Sequence, residues 1–102
     1  MDIGVQLVAL ADPTRRSIYE LIREAPSSVR ELTDDLPISQ PAVSQHLKVL
    51  RAAGLVTSTP DGARQIYSVD PAGVAQLRAW IDELWDDVLD NFTDAAREEH
   101  DQ

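Results

Sequence analysis

The feature that most restricts this chain is an apolar stripe too long for its own molecule to cover. Asp70-Pro71 pairs an N-cap residue with a proline at the first helical position, a strong helix start, and no further proline follows before Arg97. A helix over Pro71–Arg97 is about 40 Å long. It carries Val74, Leu77, Ile81, Leu84, Val88 and Phe92 at helical spacing, flanked by Trp80, Trp85 and Leu89. The residues before it are cut by breakers into short elements that form too small a core to bury that stripe. Left in water it would be a sticky patch, so the spacing predicts pairing with a second copy. The expected interface is Leu77, Trp80, Ile81, Leu84, Trp85 and Val88, joined by Ile3, Leu7 and Leu10 of an N-terminal helix, with Trp80 and Trp85 as core of their own chain the alternative.

The breakers order the rest. Ile3–Leu10 has a short helical pattern. Asp12-Pro13 starts a second helix, with Ile18, Leu21 and Ile22 as its buried stripe, ending near Ala25-Pro26. Ser28 with Glu31 three positions on is a capping box, opening a helix that stops around Leu36-Pro37. Ser39 caps the next, Gln40–Ala53, where Val43, Leu47 and Leu50 share one face and Gly54 is the stop. The period then changes. Leu55–Thr59 and Arg64–Val69 read as strands around a Pro60-Asp61-Gly62 turn, a β-hairpin. The predicted order is α-α-α-α-β-β-α, mainly helical, in a single domain over 1–102 with α1-like and final helices (1–11 and 71–97) pairing protomers.

Two short helices joined by a tight turn (28–53), followed by a hairpin wing (55–69), have the layout of a winged helix–turn–helix, whose second helix enters the DNA major groove. With Val43, Leu47 and Leu50 inward, Gln40, Ser44, Gln45, Lys48 and Arg51 face outward. Glutamine pairs bidentately with adenine and serine bonds several bases, so Gln40, Ser44 and Gln45 are the candidate base contacts. Lys48 and Arg51 suit phosphates, as do Ser39 at the helix N-terminus and Arg64 after the wing turn. A polar helix face is also what a merely solvated helix shows, so the pattern alone leaves DNA binding and plain packing both open.

Charge bears on the same choice. The chain is −9 overall, which argues against a phosphate-binding surface. The distribution is uneven, however. Gln65–Gln102 holds ten acids and two bases, whereas within Leu36–Arg64 Lys48, Arg51 and Arg64 face a single acid, Asp61. The acidic face of the last helix (Asp82, Glu83, Asp86, Asp87, Asp90, Asp94) is an unsuitable DNA contact and keeps the chain soluble.

The stretches LADPTRRSIYELI, ELTDDLPISQPAVSQHLKVLRAAGLV and GARQIYSVDPAGVAQLRAWIDELW resemble the ArsR-type winged helix–turn–helix repressors of bacteria over roughly Leu7–Phe92. The resemblance implies a homodimeric repressor on a short palindromic operator, often in its own promoter. It places Ser39, Gln40, Ser44, Gln45 and Lys48 at recognition-helix contact positions and Arg64 in the wing, and it implies phosphate contact for Arg15 and an anchor within the domain for Arg16. His46, on the flank of that helix, is read as packing or backbone-bonded, with DNA contact and metal ligation as alternatives. The family's cysteine metal site has no counterpart here, since the chain has no cysteine and Val29–Asp34 has no thiol. Its second site, of Asp, His, His and Glu on the C-terminal helices, would have only His100. No metal, cofactor or catalytic residue is therefore expected, and any effector is unknown. Ser44 and His46 are not a nucleophile–base pair, because residues two apart on a helix point to different sides. No apolar run approaches the roughly 20 residues of a membrane span, and the first residues lack the basic start of a secretion signal, so a cytoplasmic, nucleoid-associated protein is expected. A metal- or small-molecule-responsive sensor of the same fold, and a winged-helix interaction module that does not bind DNA, stay open as alternatives.

Two departures from that family's pattern carry a consequence. Relatives often have more arginine in the wing, and Gln40 stands where many have Arg. Fewer phosphate contacts predict weak non-specific binding and a shallow salt dependence. A plot of log K against log salt is expected to be shallower than about −8 for the dimer; a slope that steep or steeper contradicts the expectation.

Overall fold

The computed structural model describes residues 2–100, with side-chain surroundings through residue 93. Its element order is α1 (Ile3–Ala11), α2 (Pro13–Glu24), β1 (Ser27–Ser28), α3 (Val29–Asp34), α4 (Gln40–Ala52), β2 (Val56–Asp61), β3 (Arg64–Val69) and α5 (Pro71–His100). Each helix start is made by side-chain capping of free N–H groups. The Asp12 carboxylate accepts the Arg15 N–H at 2.9 Å, and this bond, helped by the nearby His46 and Arg15 charges, holds the carboxyl below its usual range. Ser28 Oγ accepts the Glu31 N–H while the Glu31 carboxylate accepts the Ser28 N–H, both at 3.2 Å. Ser39 Oγ accepts the Ala42 N–H at 3.3 Å, and Asp70 accepts from Ala72 at 3.0 Å.

These starts aim the apolar stripes at one another. Ile18 and Ile22 of α2, Leu32 of α3, and Val43, Leu47 and Leu50 of α4 meet Leu55 and Val56 in one core, none more than 2% exposed. Burying six or more such side chains supplies most of what holds α2, α3 and α4 together, at about 1.5–3 kcal/mol each before entropy.

The sheet differs from the expected hairpin in two ways. It has three strands in the order β1-β3-β2, because Ser27 and Ser28 pair antiparallel with Tyr67 and Ile66. The turn is also shifted. Pro60 and Asp61 pair with Gln65 and Arg64, leaving Gly62-Ala63 as a two-residue loop. Gly62 has φ 61° and no non-glycine residue has positive φ among the described residues, which fits a type II′ turn with glycine first. Pro60 is tolerated because β2 is an edge strand.

The end of α4 fixes α5. Gly54, at φ 73°, closes a Schellman motif: its N–H donates to Arg51 O and the Leu55 N–H to Leu50 O, both at 3.0 Å. Leu50 and Leu55 are both fully buried there. The Gly54 carbonyl lies directly against Gly73 in the first turn of α5, so that a Cβ at Gly73 would fall 1.7 Å from Gly54 O. From the other side the buried Gln6 of α1 donates to Gly73 O at 3.1 Å. Beyond this junction α5 runs clear of the core, and Trp80, Ile81, Leu84, Trp85, Val88, Leu89 and Phe92 are all exposed, Phe92 at 72%. On α1, Leu10 packs against the core of its own chain, while Val5 and Val8 stand out with Leu7, Val8 at 69%. The cause is rotational: Gln6, Ala9 and Leu10 share the inward side, which places Val5 and Val8 outside.

An alanine in an ordinary helical position would stabilise relative to glycine by about 1 kcal/mol. At Gly73 the sign reverses, since the new methyl meets backbone. Gly73→Ala is expected to cost about 2 kcal/mol and to lower the melting temperature by roughly 10 °C; an unchanged or raised melting temperature contradicts the close approach.

Candidate nucleic-acid interface

Helix α4 is divided lengthwise. Val43, Leu47 and Leu50 have no exposed surface, whereas Gln40, Ser44, Gln45, Lys48 and Arg51 are exposed. At about 100° per residue, Gln40, Ser44 and Arg51 fall within about 40° of one another around the axis, and Gln45 lies about 100° from Ser44. No hydrogen bond to another side chain occupies Gln40, Ser44, Gln45, Lys48 or Arg51 among the described residues. The polar tips are thus free at the N-terminal end of a rigidly seated helix, with the cations toward its C-terminal half.

Tyr67 of β3 separates two clefts beside α4. One, of about 370 Å³, brings Ser44, Lys48 and Arg51 together on the wing side. The other, of about 360 Å³, lies between the starts of α3 and α4 and the wing, and brings Gln40 to Arg30, Arg64 and Gln65. Ser39 is exposed at the cap of α4, with its Oγ accepting from Ala42 and its hydroxyl proton still available. Gln45 lines neither cleft. Arg30 and Tyr67 escaped the reading of the sequence. Arg30 sits in the first turn of α3, on the side away from buried Leu32, but a short helix gives too few turns to mark its faces. Tyr67 alternates with Ile66 in β3 and reads as an ordinary strand residue.

Both arginines of α2 tie it back to α1. Arg15 is half-buried and donates to Ala9 O at 3.3 Å, and its Nε is enclosed without a partner among the described residues. Arg16, expected as the anchor, is exposed and donates to Leu10 O at 3.1 Å. His46 is half-buried with Nδ1 enclosed and without a partner among the described residues, which fits packing. Arg64 is in the wing, but its guanidinium lies 3.2 Å from Asp61 and 3.7 Å from Glu31. The Glu31 carboxyl is held below its usual range, first by the Ser28 backbone and hydroxyl and then by the Arg64 charge.

Among the described residues, no three His, Asp or Glu side chains are grouped closely enough to hold a metal ion. No described helix is long and apolar enough to cross a membrane. The acids of α5 through Asp90 are exposed, with Asp82 3.9 Å from Arg78; the side chains of Asp94 and His100 lie outside the described ones.

Residues 12–58, from the cap of α2 into the wing, match the model of the bacterial regulatory proteins of the arsR family. The HTH-type transcriptional regulator Rv2034 of Mycobacterium tuberculosis is 48% identical over 93 residues, which cover 91% of this chain and 87% of that protein. The HTH-type transcriptional repressor SmtB of the same species is 48% identical over 74 residues, 72% of this chain and 55% of the repressor. Among solved structures, the homodimeric winged helix–turn–helix DNA-binding domain Mb0332 of Mycobacterium bovis superposes with a TM-score of 0.68 at 26% identity, covering 82% of this chain and 78% of that one. A buried-stripe recognition helix with free amide and hydroxyl tips, a wing beside it and these likenesses lead to one conclusion: the chain belongs to the arsR family and is a winged helix–turn–helix transcriptional regulator, not an enzyme.

Proposed function

We propose that the chain acts as a homodimeric repressor on a palindromic operator, its own promoter included, and so works in the cytoplasm on the nucleoid. The observation that carries this is the free polar face of α4, beside a stripe with no exposed surface. Gln40, Ser44 and Gln45 read base edges. Ser39, Lys48 and Arg51 hold phosphates, with Arg64 reaching the backbone from the wing. Ser44, Lys48 and Arg51 sharing one cleft supports base and phosphate contact within a single groove.

Pairing supplies the second half-site. Half-buried Leu77 and the exposed Trp80, Ile81, Leu84, Trp85 and Val88 of α5 cover the same stripe of a partner, with Ile3, Leu7 and Leu10 of α1 contributing and the exposed Val5 and Val8 beside them. Two copies of α4 then lie roughly 34–36 Å apart, one turn of DNA. The exposed acids of α5 turn away from the duplex and disfavour docking through that end.

Trp80→Ala with Leu84→Ala tests the reading. Both side chains are exposed in the single chain, at 36% and 49%, so each chain is expected to keep its helical signal. In sedimentation the variant should run as a monomer, and its operator affinity should fall by about 100-fold or more as the second half-site is lost. A variant that stays dimeric and binds as before contradicts the assembly.

A further inference from the structure

Resting on the DNA-binding reading, the strongest unused feature is the pairing of the wing's only cation. Between Gly54 and Asp70, Arg64 is the single basic residue. It follows the two-residue turn and is paired across it with Asp61 in the strand register. Its guanidinium lies 3.2 Å from the Asp61 carboxylate and 3.7 Å from that of Glu31, with all three side chains more than half exposed. Glu31 is itself fixed, because the same carboxylate oxygen accepts the Ser28 N–H in the capping box. So an acid that belongs to the first helix of the helix–turn–helix reaches the wing, and Arg64 itself lines a cleft with Gln40 and Arg30, beside the face proposed to meet DNA.

We infer that Glu31 and Asp61 are positioning residues that hold Arg64 in competition with DNA phosphate and so set how much the wing contributes to binding. A phosphate must displace two carboxylates to reach the guanidinium, and those carboxylates repel the phosphate once it arrives. Arg30 makes no ion pair among the described residues, so the restraint acts on the wing rather than on the cleft as a whole. Exposed pairs of this kind are weak, which bounds the effect to a few-fold in affinity. It is greatest at low ionic strength, where screening is least.

The test is Glu31→Gln with Asp61→Asn, each alone and together, in the full chain. Glutamine keeps the capping-box acceptor, so the melting temperature should stay within about 3 °C of the original chain. Titration of a random-sequence duplex labelled with a fluorophore, over a range of salt, reads the effect. The double variant is expected to bind about two- to fivefold more tightly, and its slope of log K against log salt should steepen by about one per protomer. Adding Arg64→Ala should erase both gains. Unchanged affinity and slope beside a wild type that binds would overturn this inference alone, as would gains that survive Arg64→Ala, because removal of negative charge by itself would then account for them. A wild type that binds neither random nor own-promoter DNA would overturn the inference together with the reading beneath it.

Discussion

Where α4 ends, two glycines meet, and the geometry of everything outside the core depends on that contact. Gly54 turns the chain out of α4, and its carbonyl occupies the space where a side chain of Gly73 would be. Helix α5 can approach so closely only because Gly73 carries no Cβ. Gln6, buried and donating to the carbonyl of that same Gly73, brings α1 to the junction. The DNA-facing helix and the two helices proposed to pair protomers are therefore joined at one rigid point rather than through a flexible loop. In a dimer, the spacing of the two recognition helices follows from the crossing of two α5 helices, with little slack in between.

The charge of the molecule becomes intelligible once the fold separates it. A chain of −9 repels duplex DNA at long range. At short range the face of α4 presents Lys48 and Arg51 without ion-pair partners among the described residues. The acids of α5 are strung along a helix that leaves the core, and the nearest acids to the interface, Glu31 and Asp61, are occupied with Arg64. In the proposed complex, affinity rests on a few contacts held twice, rather than on a broad basic surface.

Much of this was legible in the residues because helix starts are local events. Asp12-Pro13, Ser28 with Glu31, Ser39 with Pro41 and Asp70-Pro71 each satisfy their own N–H groups within three residues, so sequence distance and spatial distance coincide. The outward set on α4 followed from the same logic once Val43, Leu47 and Leu50 were placed inside. What escaped depends on partners far along the chain. Strand β1 is two serines that pair only because Ile66 and Tyr67 arrive beside them. The first strand of the hairpin runs two residues further than expected, since Pro60 and Asp61 could either enter the turn or pair with Gln65 and Arg64, and the register decided. Arg15 and Arg16 are adjacent and chemically identical; which one turns inward is set by where α1 packs, and likewise Leu10 faces in while Val8 faces out. The contact of Gly73 with Gly54 leaves no local mark at all.

In the proposed complex the free tips of α4 enter a duplex groove at two places in one assembly. Methylation interference over DNA from the chain's own promoter reports on this, since dimethyl sulfate marks guanine N7 in the major groove and adenine N3 in the minor groove. Two clusters of interfering major-groove guanines are expected, centred about 10 base pairs apart and related by the symmetry of the site. A single cluster, or interference confined to the minor groove, would contradict that arrangement.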